Sequence, residues 1–568
     1  MNAYALYFLT VVGFSGILYG LGGAAAMSVA LPYIKATTEF TSQQLSLLVA
    51  GTMGAAVVSS MVAGVFCEWF GRKKTLLASA LIFAAGGPLF FFSGGAYWMM
   101  YAGQLTFGTA MGLLGVAAPM YLAECLDAKS RGKGTAIFQL LLIVGIMISG
   151  VTGIVIAKAI GPADSVTLSL ADKIFAWKTV FLSESVPGLL LFFLLLGLRE
   201  SPRWLYKKGR RGEALASLAA NNGEGKAKEI LDEMVAADEK AAAEKAALAA
   251  KPKDSLLQRK YVVPFLIAFI ILVCNQTTGI NGVLGYSVLI FQQSGLKGDF
   301  ANWADLVFKI TMLVMTALAC VVVDLKGRKF LLKVGTLGII AGMLGAGVIF
   351  LGVERSRVDV TDYVKAQVKG GESLEVTVAD VVANAAEKDR FLAEGQVRGD
   401  TQFILTYRQG GAGNQAVAEQ DEKEGRLAVT PRPDAEKNGL EIVRAELGTR
   451  PSLATGWTVT VFLMIFIAAF AIGPGVCVWL ALTELMPNRI RAVGMSVALF
   501  ANQMVAMGLQ ATMLPLRDTF GYGCLFLTFA AATVVYFVTA AFFMPETKGR
   551  TLEEIEAWFA ERGGKNGK

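Results

Sequence analysis

The chain has 568 residues; 54% are apolar, 17% are charged and the mean hydropathy is +0.54. That balance excludes an ordinary soluble globular protein and points to a polytopic membrane protein. The net charge of +7 is spread over short loops, so it is not a nucleic-acid signal, and the absence of histidine rules out a histidine relay or a histidine metal site.

Apolar runs long enough to span a bilayer core recur twelve times: about 5–34, 45–67, 75–93, 98–124, 134–158, 176–198, 262–293, 303–323, 330–352, 457–486, 492–515 and 522–543. They predict an all-α membrane protein. Residues 1–198 form an N-terminal six-helix half, and 199–260 a linker with surface helices, mainly over 224–250. Helices 7–9 occupy 261–352, an insertion 353–456, helices 10–12 457–545, and a tail 546–568. The 62 glycines suit close helix packing in lipid.

Lys and Arg crowd the loops at 71–74, 129–133, 203–211, 326–333 and 489–491 and the tail. The positive-inside rule makes that side cytoplasmic, with both termini, in a plasma (inner) membrane. The first run is too long, and lacks the basic flank, for a cleavable signal peptide. Cys67, Cys125, Cys274, Cys320, Cys477 and Cys524 lie in or beside spans and read as small packing residues.

The insertion falls between helices 9 and 10 and is expected outside the cytoplasm. Val376-Thr377-Val378 and Phe403-Ile404-Leu405-Thr406-Tyr407 read as short strands. Gly410-Gly411-Ala412-Gly413 and Pro431-Arg432-Pro433 read as turns. A partly ordered appendage without chemistry of its own is the expectation, and its protein partner is unknown.

Two patterns occur twice. Glu68 through Gly71-Arg72-Lys73-Lys74 recurs as Asp324 through Gly327-Arg328-Lys329, 324 − 68 = 256 residues later. Glu124, Arg131 and Gly134 recur as Glu484, Arg491 and Gly494, 484 − 124 = 360 residues later. The two offsets differ by 360 − 256 = 104 residues, which sizes the insertion. An internal repeat in an apolar chain fits a transporter built from two homologous halves.

Polar residues within apolar helices mark the candidate site, because each is costly unless it lines a cavity or finds a partner. Helix 7 carries Asn275-Gln276-Thr277-Thr278-Gly279-Ile280-Asn281-Gly282. Amides supply uncharged donors and acceptors, which suit a neutral polyhydroxylated ligand. Glycines there permit unwinding; the bland alternative is hydrogen bonding between packed helices. Gln139 in helix 5 and Asn502-Gln503 in helix 11 are further candidates. Gly473-Pro474-Gly475 breaks helix 10 before Trp479, which either stacks on a ligand or packs. No nucleophile–base constellation or metal cluster favours an enzyme, and no cofactor is implied.

The motifs together resemble the sugar porter family of the major facilitator superfamily. They are Gly71-Arg72-Lys73-Lys74, Pro119-Met120-Tyr121-Leu122-Ala123-Glu124 leading to Arg131-Gly132, and Glu200-Ser201-Pro202-Arg203-Trp204-Leu205. Gln276-Thr277-Thr278-Gly279-Ile280-Asn281, Asp324-Leu325-Lys326-Gly327-Arg328-Lys329 and Pro545-Glu546-Thr547-Lys548-Gly549-Arg550-Thr551 complete the set. The stretch from Trp177 to Pro187 resembles the bacterial xylose–proton symporters, and glucose facilitators are similar too. The resemblance implies the major facilitator fold in the lipid bilayer, with a small-molecule sugar bound between the halves. It implies sugar contacts at Gln139, Asn275, Gln276, Asn281, Trp479 and Asn502. It also implies a salt-bridge network of Glu68, Arg72, Glu124, Arg131, Asp324, Arg328, Glu484 and Arg491 that holds the outward-facing state.

Departures from the family pattern bear on coupling. Proton-coupled members carry an Asp in helix 1, where this chain has Gly22-Gly23, and an Arg in helix 4, where it has Gln104. Loss of both partners together is the coherent change, since a lone buried charge is costly. Facilitated diffusion is therefore the expectation. Proton symport through Glu184 is the alternative, and a non-transporting sugar sensor is a further one. Met312, Gln503 and Gly285 also depart from the family's site. Lys309 is expected to snorkel to the outer interface, or else to attract an anionic sugar acid.

Overall fold

The computed structural model describes residues 3–22, 24–126, 131–165, 167–236, 258–368, 373–384, 401–409, 412–419, 426–429, 439–487, 489–548, 554–555 and 558–559. Within a bilayer a lone apolar segment must satisfy its backbone internally, so the apolar runs become helices. The N-half contains α1a (Ala3–Leu21), α1b (Ala24–Thr37), α2 (Ser42–Phe70), α3 (Arg72–Phe91), α4 (Tyr97–Cys125), α5 (Arg131–Ala159) and α6 (Leu170–Leu196). The C-half contains α7a (Arg259–Thr277), α7b (Ile280–Gln293), α8 (Asp299–Lys326), α9 (Arg328–Arg355), α10a (Leu453–Ile472) and α10b (Pro474–Leu485). A continuous helix, Arg491–Val538, bends at Gly521 into α11 (491–520) and α12 (522–538), and a π turn at Thr539–Phe543 extends it. These make the twelve expected spans.

Three spans are broken. In α7 the break falls where the glycines allowed it: Gly279 adopts a left-handed conformation (φ +84°), and an added Cβ would lie 2.4 Å from the Phe529 ring. In α10 it falls at Gly473, ahead of Pro474. In α1 it falls at Gly22; Gly23 lies outside the described residues. The last break answers to a position read from the sequence only as a missing carboxylate.

The halves meet near the ends that carry the insertion. Leu514 N donates to Ser46 Oγ at 3.1 Å, Gln43 Nε2 to the Ala511 carbonyl at 3.3 Å, and Gly298 N to Asp164 at 2.8 Å. α1b packs on α7b, and α5 on α8. Toward the other face, which carries the linker, Gly64 of α2 has open space beside it, and Val493, Val497 and Phe500 of α11 are exposed. The linker packs under the N-half as helices Pro202–Lys207 and Arg211–Asn222, with 224–236 also helical; residues 237–250 of the expected surface helix lie outside the described residues.

The described part of the insertion folds around its own core, while 369–372, 385–400, 410–411, 420–425 and 430–438 lie outside the described residues. β1 (Val358–Asp359), β2 (Leu374–Thr377), β3 (Thr401–Gln409), β4 (Ala412–Glu419), β5 (Arg426–Val429) and β6 (Glu441–Thr449) form two antiparallel sheets, ordered β1-β6-β3-β4 and β2-β5. Alternation along β3 turns Phe403, Leu405 and Tyr407 into a core with Val376, Val381, Leu427 and Leu447. The expected strands correspond to β2 and β3, although Val378 already begins a helix, Val378–Asn384. Ala412 and Gly413 open β4; Gly410, Gly411 and Pro431-Arg432-Pro433 lie outside the described residues. β4 rests against α2 and α11, enclosing a cavity of about 490 Å³ between sheet and bundle.

Phe403 is fully buried in the insertion's core. Phe403→Ala should cost about 3–5 kcal/mol of local stability. Limited proteolysis should then cut within 353–456 much faster, while the helical bundle resists as before.

Candidate substrate cavity and charge latches

The breaks in α1, α7 and α10 converge on one cavity of about 280 Å³ between the halves. All six residues expected to touch sugar line it: Gln139, Asn275, Gln276, Asn281, Trp479 and Asn502. The amides form a connected chain. Asn281 Nδ2 donates to Gln276 Oε1 at 2.7 Å, Gln276 Nε2 to Asn502 Oδ1 at 3.1 Å, and Asn502 Nδ2 to the Leu272 carbonyl at 2.7 Å. Unwinding at Gly279 lets Gln276 of α7a and Asn281 of α7b meet, although five residues apart they do not share a regular helical face. Asn275 Oδ1 is buried without a hydrogen-bond partner among the described residues, so an acceptor is left over. Trp479 is 42% exposed although mid-span, because it borders the cavity. Met312 and Gln503 complete the lining where the family pattern differs, and Tyr286 does not line it: it is buried and donates to the Gln510 carbonyl at 2.9 Å.

The repeated charges build the same device twice, at the face that carries the linker. Arg72 pairs with Glu124 at 2.6 Å, and Arg328 with Glu484 at 3.3 Å. Each pair joins helices of a single half. Each follows a glycine at positive φ, Gly71 (+97°) and Gly327 (+87°), where the chain turns between two helices. The bare helix starts are capped by carboxylates. Glu200 accepts from the backbone of Arg72 at 2.8 Å and Lys73 at 3.0 Å, and Glu546 from that of Arg328 at 3.1 Å and Lys329 at 3.2 Å. These two acids were not singled out in the sequence as members of the charge network. The signal was present, since both stand in the quoted motifs just after a half ends. Arg491 donates to the Met486 carbonyl at 3.1 and 3.2 Å, and Glu68 is exposed, its carbonyl accepting from Trp204 Nε1 at 2.9 Å. The side chains of Arg131 and Asp324 lie outside the described residues.

A family model described as "Sugar (and other) transporter" matches residues 9–366 and 444–559. The chain belongs to this family. The inositol transporter 4 of Arabidopsis thaliana is 25% identical over 560 residues, 96% of this chain and 90% of its own. The facilitated trehalose transporter Tret1 of Bombyx mori is 26% identical over 528 residues, 92% and 80% of the two chains. Among solved structures, the xylose transporter XylE from E. coli in a partially occluded inward open conformation superposes with a TM-score of 0.66 at 20% identity. That match covers 97% of this chain and 100% of that one. It establishes the major facilitator fold. The internal segment between the two matched stretches, 367–443, falls inside the insertion.

Against the family frame, the sites linked to proton coupling are filled by other contacts. At Gly22 an added Cβ would lie 2.5 Å from the Phe83 ring, so a side chain there has no room. Gln104, 2% exposed, accepts from Thr52 Oγ1 and donates to Met27 Sδ at 3.4 Å. Glu184 is buried at 4% exposure, neither oxygen has a partner among the described residues, and it does not line the cavity. Lys309 corrects the snorkelling expectation: it is 0% exposed and paired with Asp305 at 2.7 Å. The acid one turn earlier supplies a counter-charge inside the bundle, so the ammonium does not need to reach the interface.

At Gly71 an added Cβ would lie 2.3 Å from Glu200 Oε2. Gly71→Ala should therefore destabilise the protein by about 1–3 kcal/mol through strain and a displaced cap. Gly64→Ala, facing open space inside a helix, should leave thermal melting no lower than the parent's.

Proposed function

We propose that this chain carries a neutral hexose or pentose across the membrane by alternating access, as facilitated diffusion. Family membership supports transport as such. The reading of substrate class rests on one observation: the amides of three helices and a half-exposed Trp converge on a cavity where the helices break. Amides hydrogen-bond hydroxyls in either sense, and an indole face suits the apolar face of a sugar ring. The relatives named for inositol and trehalose support the same ligand chemistry. In this reading the termini and linker are cytoplasmic, the insertion lies outside a plasma (inner) membrane, and the conformation described is the inward-facing one. The network around Arg72–Glu124 and Arg328–Glu484, with Glu68, Arg131, Asp324 and Arg491, latches the cytoplasmic face in the alternate state.

Facilitated diffusion rests on the filled space at Gly22 and on Gln104. A gradient drives accumulation only if proton binding favours one state over another. Proton symport is the second reading, favoured by one observation, the buried and unpartnered carboxylate of Glu184.

Reconstituted protein tested with D-glucose, D-xylose and myo-inositol should give counterflow that an uncoupler does not change. Gln276→Ala should weaken binding of the transported sugar by about 1–3 kcal/mol, the loss of a buried hydrogen-bond partner, with expression unchanged. Sugar-driven proton uptake that Glu184→Gln abolishes would make the protein a symporter instead.

A further inference from the structure

Asp305 and Lys309 stand one turn apart on α8, 1% and 0% exposed, as an ion pair of 2.7 Å. Asp305 Oδ1 accepts from Ser287 Oγ of α7b at 2.5 Å, so its second oxygen is also held within the C-half. The ammonium's other contacts cross to the N-half. It donates to the Ala25 carbonyl at 3.2 Å and Ser28 Oγ at 3.2 Å on α1b, and to Ser149 Oγ at 3.0 Å on α5. Both hydroxyls are oriented for this. Ser28 donates to the Ala25 carbonyl at 2.7 Å and Ser149 to the Ile146 carbonyl at 2.6 Å, leaving their oxygen lone pairs for Lys309. Met312, in the next turn of α8, borders the central cavity. Asn302, in the preceding turns, faces Gly153 of α5. The pair thus stands on the insertion side of the cavity, at the seam between the halves.

A buried ion pair is weak as a source of stability, because desolvation offsets its attraction. This one carries information about conformation. Three of the four acceptors around Lys309 belong to the opposite half, so its coordination is complete only while the halves are closed on the insertion side. We propose that Lys309, charged and aimed by Asp305, is a positioning residue: an interhalf clasp that favours closure of the insertion face. The proposal rests on the transporter reading for the existence of a second state with that face open. When the halves part there, Ala25, Ser28 and Ser149 withdraw and only Asp305 remains with the ammonium.

The test uses full-length protein retaining Cys125, 1% exposed, as its single native cysteine, with Asn302→Cys as reporter. Asn302 is 5% exposed at the α5–α8 contact. Labelling by a membrane-impermeant maleimide should be slow. The charge-neutral double variant Lys309→Met with Asp305→Asn should raise the rate at 302 about tenfold or more, a shift of the population toward the open insertion face. Cys125 should stay protected. Ser28→Ala with Ser149→Ala, which alters no charge, should raise it in the same direction by a smaller factor, and this variant decides the matter if the first one unfolds. Rates at 302 within twofold of the parent in the serine variant would overturn the clasp. The labelling needs no sugar, so the outcomes separate. Intact sugar counterflow with unmoved labelling sinks the clasp alone. Raised labelling without sugar flux in the parent supports the clasp and sinks the sugar reading.

Discussion

A polar group inside a bilayer has no bulk water to turn to, and this constraint organises the whole molecule. Backbone groups meet it by forming helices. Where α1, α7 and α10 break, the freed groups lie against a cavity or inside protein. Side chains meet it by pairing. Gln276, Asn281 and Asn502 bond to one another, and Asp305 bonds Lys309. The exceptions are informative for the same reason. Among them are the buried Oδ1 of Asn275, a residue that lines the cavity, and both oxygens of Glu184, which have no partner among the described residues.

The two halves solve the same local problem in the same way. A glycine at positive φ joins α2 to α3 and α8 to α9. Each following helix start is capped by a carboxylate from the end of its half, and each arginine pairs with an acid on α4 or α10. In the conformation described, each device ties helices within one half and leaves the other half untouched. Hydrogen bonds between the halves stand instead on the insertion side, where Ser46 meets Leu514 and Lys309 meets α1b and α5. Rigid halves with a seam that closes on one side are what rocking about a central cavity requires.

Much of this was legible because it is local in sequence. Apolar run length marked out the spans, the amide run picked the part of α7 that lines the central cavity, and Gly473-Pro474-Gly475 announced the break in α10. The repeat offsets located and sized the insertion. What was not legible depends on contacts far apart in the chain. The order β1-β6-β3-β4 joins residues about 90 apart, such as Val358 and Leu447, and nothing in a strand's own pattern names such a partner. Gly22 read as an absent acid, although its physical role is a helix break packed under Phe83. The Asp305–Lys309 spacing of one helical turn was readable. Its partners Ser28 and Ser149 were not, because two lone serines in apolar helices look like packing residues.

The central claim is that the halves move as rigid bodies around the amide cavity, and paired spin labels test it most directly. One pair would sit at Trp69 and Leu325, both exposed at the ends of α2 and α8 on the linker face. The other would sit at Trp98 and Phe300, exposed at the starts of α4 and α8. Adding a transported sugar should shift the two distance distributions in opposite senses, the linker-face distance shortening as the other lengthens. Distributions that stay fixed at saturating sugar, or that shift in the same sense, would contradict the account.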